Sequence, residues 1–257
     1  MTREEAILRL RTAGCVFAED EAEVLAEAAA GGTPLDVLVG RRCAGEPLEQ
    51  VVGYADFCGV RVRLRPGVFV PRVRSELLVR LAIERVKEER DPLVVDLCCG
   101  SGALGLAVRH QVPGITLHAA DVDPVAVACA RDNMETGAGT TVHQGDLFAA
   151  LPPRLRGRIT VLLANVPYVA TRHLAFLPTE ARDHEPRTAL DGGDDGLTVF
   201  RAVVAQARDW LAEGGLLLSE ITAAQIQAAI TVVDGNGLTS AVLSDDDLDA
   251  RVITARR

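Results

Sequence analysis

Leu93-Val94-Val95-Asp96-Leu97-Cys98-Cys99-Gly100-Ser101-Gly102-Ala103-Leu104-Gly105 decides the fold. An apolar run of strand length ends in a loop of small residues, and helical spacing starts near Ala103. Glycines let a backbone approach a ligand closely, and a helix start supplies free N–H groups. Gly100-x-Gly102-x-x-Gly105 fits the dinucleotide fingerprint, a pattern that a plain glycine-rich turn also satisfies. Asp96 shifts the reading, because an acid ahead of the loop suits a cofactor with a cationic amino-acid end better than a pyrophosphate.

Outward from this stretch, strands and helices alternate. Strands are expected over 93–97, 115–120, 140–145, 159–164 and 215–221, and helices over 103–110, 124–136, 195–212 and 222–233. This pattern predicts a doubly wound parallel α/β sheet of the Rossmann-like kind. The tail differs: Thr239–Leu243 and Arg251–Ala255, joined by Ser244-Asp245-Asp246-Asp247, read as a closing antiparallel pair. Upstream, residues 3–12, 18–30 and 33–43 carry apolar positions at helical spacing and predict a small helical domain over 1–55. Residues 56–75 read as a β-hairpin linker, with Phe57–Leu64 alternating and a turn at Arg65-Pro66-Gly67. Ser75–Lys87 is helical and opens the main domain, 76–257, and Glu88–Pro92 is a charged break.

Ligands of open α/β sheets bind beyond the carboxyl ends of the strands, and four successive strand ends here carry suitable chemistry. The first delivers Asp96 and the loop Cys98, Cys99, Gly100, Ser101, Gly102. The second ends at Asp121-Val122-Asp123-Pro124, where Asp121 can accept from both hydroxyls of a ribose and Asp123 reads as a helix cap before a first-turn proline. The third ends in Asp146-Leu147, an acceptor for an exocyclic amine beside an apolar residue for an adenine ring. The fourth ends in Asn165-Val166-Pro167-Tyr168. The Asn165 side-chain carbonyl and the Val166 backbone carbonyl can hold an NH2 group by its two hydrogens, and Tyr168 offers a ring. Each of these has a plain structural alternative as a turn or loop, and it is their order along one sheet edge that points to a site.

Net charge is −9 over 257 residues, which argues against a broad, sequence-independent nucleic-acid binder. The arginines at 61, 63, 65, 72 and 74 are expected to face solvent along a strand. Hydrophobic residues make up 48% and aromatics only 4%, so the core must be built of Ala, Val and Leu. No apolar run approaches the ~20 residues of a membrane span, and the opening residues do not resemble a signal peptide, so a cytoplasmic location is expected. Six cysteines lack Cys-x-x-Cys spacing and five histidines lack His-Glu-x-x-His, so no metal site and no disulfide framework is expected.

The Asp96–Gly105 motif resembles the acidic-x-Gly-x-Gly-x-Gly loop of S-adenosylmethionine (SAM) methyltransferases, with Cys98 at the first glycine. Nearly the whole chain resembles the HemK-type protein-glutamine N(5)-methyltransferases. Glu49–Gly53 through Phe57-Cys58-Gly59 is similar to that family's entry into its hairpin, Phe69-Val70-Pro71-Arg72 to its Phe-x-Pro-Arg segment, and Asn165–Tyr168 to its Asn-Pro-Pro-Tyr motif. His184-Glu185-Pro186-Arg187-Thr188-Ala189-Leu190-Asp191-Gly192-Gly193, with Asp195-Gly196, matches a segment that separates the family from methyltransferases at large. The chain departs from the family pattern at Val166 for proline, Arg74 for glutamate and Cys98 for glycine.

The resemblance implies SAM as cofactor, S-adenosylhomocysteine as product, and a protein acceptor, the glutamine of a Gly-Gly-Gln loop in a peptide chain release factor. It implies catalytic roles for Asn165, Val166, Pro167 and Tyr168, a cofactor contact from Asn165, and acceptor contacts from Phe69, Arg72, Asn165, Tyr168 and Glu185, with Glu185 and Arg187 weighed as braces of their loop. It also makes the amino-terminal helices the acceptor-recognition part. The rival expectations are a paralogue acting on another protein, on a small amide or amine or on a nucleic-acid exocyclic amine, a SAM-binding module without catalysis, and a nicotinamide-dependent oxidoreductase using the Gly100–Gly105 loop.

Overall fold

The computed structural model describes residues 1–87, 89–134 and 139–257. It opens with four helices, α1 (Arg3–Thr12), α2 (Ala18–Ala29), α3 (Leu35–Cys43) and α4 (Leu48–Val52). Thr2 and Glu5 form a reciprocal capping box that starts α1. Ala6, Leu10, Ala22, Leu25, Leu38, Val39 and Val51 close a cluster of their own among these helices. The sequence reading missed α4, whose five residues are too short for a periodicity signal.

Strands β1 (Tyr54–Phe57) and β2 (Val60–Arg63) form an antiparallel hairpin. Its turn is Cys58-Gly59, with φ of 47° and 81°, and not the expected Arg65-Pro66-Gly67. Two consecutive left-handed residues match the right-handed twist of the strands they join. The hairpin is bonded to the main domain: Asn133 exchanges hydrogen bonds with Arg63, accepting from its N–H (2.8 Å) and donating to its carbonyl (2.8 Å). Four of the five arginines of the run pair with carboxylates: Arg61 with Asp56, Arg65 with Asp132, Arg72 with Glu185 and Arg74 with Glu220.

The main domain runs α5 (Glu76–Val86), β3 (Leu93–Leu97), α6 (Ala103–Gln111), β4 (Thr116–Asp121), α7 (Pro124–Asn133), β5 (Thr140–Gln144) and β6 (Ile159–Ala164). It continues through short helices α8 (Thr179–His184) and α9 (Arg187–Leu190), then α10 (Thr198–Trp210), β7 (Leu211–Glu220), α11 (Ile226–Gly235), β8 (Thr239–Asp245) and β9 (Ala250–Arg256). The seven-stranded sheet has the order β5-β4-β3-β6-β7-β9-β8, parallel from β5 to β7 and antiparallel at β9 and β8. This is the expected α/β architecture with its closing pair. The turn of that pair falls at 246–249, two residues past its expected start. Residues 135 and 136 of the helix expected over 124–136, and Glu88 of the charged break, lie outside the described residues.

Every residue of β3 and β6 is buried, which explains why both read as continuous apolar runs. On one face, α10 turns Phe200, Val203, Val204, Ala207 and Trp210 inward at helical spacing. Trp210 stacks on Phe148 at 5.2 Å. On the other face, Leu78, Ala82 and Val86 of α5 pack with Ala107 and Val108 of α6. Burying each Val, Leu or Phe side chain among these contributes roughly 1.5–3 kcal/mol, and each Ala less. With aromatics scarce, the two faces are filled largely by Val, Leu and Ala.

Candidate active site

The strand order reverses between β3 and β6, where a crevice opens at the carboxyl ends. A cavity of about 460 Å³ lies there. Its lining includes Cys98, Cys99, Gly100, Ser101, Asp121, Val122, Asp146, Leu147, Asn165, Val166, Pro167 and Tyr168, with Phe69 and Arg72. Three of the residues singled out from the sequence lie behind this wall: Asp96, Gly102 and Glu185 are absent from the lining.

The loop after β3 is held from two sides. Gly100 N–H donates to Asp121 Oδ2 (2.9 Å) and Cys99 N–H to the Ala120 carbonyl (3.0 Å). Asp96 sits beneath, its Oδ2 accepting from Gly105 N–H (2.9 Å) at the start of α6. Burial pushes the Asp96 carboxyl up to about 7, because the charged form loses hydration. Cys98 has φ of 60°, a region open to glycine but costly for other residues, so the departure at this position leaves a strained cysteine where the family pattern has glycine. Burial also pushes the Cys98 thiol up to about 12, so it acts as a small apolar wall.

Asp121 accepts Gly100 N–H on one oxygen and Asp123 N–H (2.9 Å) on the other. Each carboxylate oxygen has a further lone pair. Asp123 caps α7, its side chain accepting from Val125 N–H with Pro124 in the first turn, as its spacing predicts.

Asn165 is half-buried at the end of β6. Its Nδ2 donates to Ser75 Oγ (3.2 Å), and its Oδ1 is buried without a hydrogen-bond partner among the described residues. Ser75 Oγ donates to Glu220 Oε2 (2.8 Å). Glu220 Oε1 accepts from Arg74 Nε (2.6 Å) and from the Tyr168 hydroxyl (2.6 Å), and Arg74 also donates to that hydroxyl (2.7 Å). Burial and the Glu220 carboxylate hold the Tyr168 phenol well above its usual range, so it stays a donor.

The sequence reading did not single out Ser75 or Glu220. Ser75 follows the Pro-Arg segment, and Glu220 is a carboxylate at the buried carboxyl end of β7. A buried acid there needs partners, and that is the signal that could have found it.

Glu185 has a fully buried side chain. It accepts from Val70 N–H (3.2 Å) and from Arg72 (2.6 Å), tying the Phe69–Arg72 segment to the loop between α8 and α9. The Arg72 guanidinium lies 4.9 Å from the Phe69 ring centre. The Asp191–Gly196 loop lies against the backbone of the fourth motif. A Cβ on Gly192 would stand 2.6 Å from the Pro167 carbonyl oxygen, and one on Gly196 would stand 2.2 Å from that of Tyr168. The amino-terminal helices reach this side through Arg42, which pairs with Glu21 (2.6 Å) and with Glu180 of α8 (2.7 Å). Among the described residues no helix is long and apolar enough to cross a membrane, and no cluster of His, Cys, Asp and Glu is arranged to hold a metal.

The family model "Methyltransferase small domain" matches residues 59–179. A release factor glutamine methyltransferase of Moorella thermoacetica is 38% identical over 80% of this chain and 72% of its own length. A 4-amino-L-phenylalanine/4-methylamino-L-phenylalanine methyltransferase of Streptomyces pristinaespiralis is 34% identical over 85% of this chain and 76% of its own. The match spans 63 to 78% of the length of the relatives that carry the release factor name. Among solved structures, a T. thermophilus 16S rRNA N2 G1207 methyltransferase superposes with a TM-score of 0.56 at 20% identity, over 79% of this chain and 49% of its own. With its methyltransferase sheet, its four strand-end motifs and this sequence identity, the chain belongs to the release factor glutamine methyltransferase family.

Proposed function

We propose that this chain methylates the side-chain amide nitrogen of a glutamine in a peptide chain release factor, at its Gly-Gly-Gln loop, with SAM as methyl donor. The observation that carries the reading is the Asn165 amide. It lines the cavity, its NH2 is tied back to Ser75, and its carbonyl oxygen is a buried acceptor without a donor among the described residues. A buried acceptor of that kind costs free energy unless a ligand supplies the hydrogen bond.

The residues fit SAM. The backbone of Cys98–Ser101 borders the cavity, with Asp96 fixing that loop from behind. Asp121 has lone pairs left for ribose hydroxyls, and Asp146 and Leu147 line the adenine end. When bound there, SAM supplies an electrophilic sulfonium methyl.

The chain's own task is orientation. Asn165 Oδ1 and the Val166 carbonyl accept the two amide hydrogens and leave the nitrogen lone pair facing the donor. An amide nitrogen is a weak nucleophile, so most of the acceleration comes from placement and from acceptors aimed at developing positive charge on nitrogen; the methylated nitrogen is strongly acidic and loses one of its two protons to solvent after the transfer, without a dedicated base. Pro167 and Tyr168 pack beside the acceptor and exclude water. Only the Val166 backbone is used, so a side chain other than proline is tolerated there. Phe69 and Arg72, braced by Glu185, form the wall the acceptor meets, and the 1–55 helices, joined through Arg42 to α8, are placed to read the rest of the acceptor protein.

Mass spectrometry of release factors incubated with the enzyme and SAM tests the reading. One added methyl on the glutamine of the Gly-Gly-Gln loop is expected. Asn165→Ala should lower turnover roughly 100-fold or more while SAM affinity stays within about threefold. No methylation with SAM binding intact would overturn the acceptor and move the search to other amides and small amines.

A further inference from the structure

We propose that Glu220, acting through Ser75, sets which way the Asn165 amide faces, so that both are positioning residues for the transfer. The proposal rests on the reading of Asn165 as acceptor of the substrate amide hydrogens. An asparagine amide is nearly symmetric in shape, and turning it over would replace the carbonyl with an NH2 that repels the acceptor's N–H groups. Something must fix its direction.

The hydrogen-bond inventory around Glu220 does so. Arg74 can only donate, and it donates both to Glu220 Oε1 and to the Tyr168 oxygen. The single Tyr168 proton therefore goes to Glu220. Ser75 also has one proton, and the second carboxylate oxygen takes it at 2.8 Å. What Ser75 has left for Asn165, 3.2 Å away, is a lone pair. Only the NH2 side of the amide can face a lone pair, so Oδ1 points the other way, where it has no donor among the described residues. Glu220 and Ser75 are 3% and 2% exposed, so water does not scramble this polarity. The direction of the catalytic amide is thus decided two hydrogen bonds away, at a carboxylate in β7.

The test reverses the relay. In Glu220→Gln the single side-chain carbonyl is drawn to the two donors Arg74 and Tyr168, which turns the new NH2 toward Ser75. Ser75 then accepts from it, donates onward, and the Asn165 amide turns over. Selective 15N-asparagine labelling gives three side-chain amides, at 133, 165 and 236, and Asn165→Asp identifies the one of interest. Glu220→Gln should shift that signal and lower kcat on the glutamine acceptor about 100-fold, with acceptor KM and SAM affinity within about threefold. Ser75→Ala only frees the amide and should cost about 10-fold.

Adding Ser75→Ala to Glu220→Gln should raise activity back to the Ser75→Ala level, because the wrong polarity is no longer transmitted. Losses that multiply, with the Asn165 signal unmoved, would overturn the proposal. Should Glu220→Gln fail to fold, Ser75 decides alone. A signal shift in Ser75→Ala reversed by Ser75→Thr, which keeps the hydroxyl, supports the relay, and an unmoved signal defeats it. If the unaltered enzyme methylates no release factor while the Asn165 signal still responds as described, the acceptor reading falls and the relay stands.

Discussion

Asp121 uses one oxygen for Gly100 N–H and the other for Asp123 N–H, so a single carboxylate holds the loop after β3 and the start of α7 while facing the cavity. Removing it should weaken SAM twice over, through lost acceptors for the ribose and through a loosened loop. Asp121→Ala is expected to reduce SAM affinity roughly 10- to 100-fold, about 1.4–2.8 kcal/mol, measurable by titration calorimetry, and wild-type affinity would remove Asp121 from the ribose role. Its place on the cavity wall was legible in the sequence, because it follows a parallel strand's carboxyl end beside a glycine loop, where ligands of open α/β sheets bind. Ser75 and Glu220 were not legible. Their meaning lies in a contact across 145 positions of chain, and neither residue type in isolation distinguishes a positioning pair from a solvated turn and a strand end.

Elements whose period is carried by many residues, such as β3, β6 and α10, could be read from the sequence to within a few positions, since burial forces apolar runs or a helical stripe. Short pieces were not. The Cys58-Gly59 turn lacks the usual asparagine or aspartate, and α8 and α9, with six and four residues, show no repeat. The Asp191–Gly196 loop was legible as a family segment, but its packing role comes from the structure. Its backbone is paired with Val169, and Gly192 N–H donates to the Val169 carbonyl (2.8 Å), so the loop presses directly on the fourth motif. Gly192→Ala would place a methyl against two carbonyl oxygens at 2.6 Å. The expected outcome is a displaced Pro167 and a kcat at least 10-fold lower, with SAM affinity kept, since the atoms met by the methyl belong to Pro167 and Gly196 and not to the loops after β3 and β4. A variant with wild-type kcat would show that this loop does not support the site.

At the scale of the whole molecule, two buried groups on the sheet give stability opposite dependences on pH. His118 on β4 is 5% exposed, and its Nδ1 lies 2.8 Å from His143 Nε2 on β5. Burial, then the neighbouring His143 and Arg154, lower its pKa to about 4 from the ordinary 6.5. The unfolded chain therefore binds a proton that the folded chain refuses, and stability is lost as pH falls from 6.5 toward 4. Asp96 works the other way. Its folded value of about 7 against an ordinary 3.8 means the folded chain keeps a proton that the unfolded chain has lost, so its contribution falls as pH rises through the same window. The two largely cancel, and the wild-type melting profile should be flatter between pH 4.5 and 6.5, roughly, than either group alone would make it. His118→Phe keeps the site buried and removes one arm. Between pH 7 and pH 5 its stability should gain on the wild type by about 2 kcal/mol, read as the difference of two denaturant titrations. A constant difference across that range would mean that His118 is not held neutral in the folded protein.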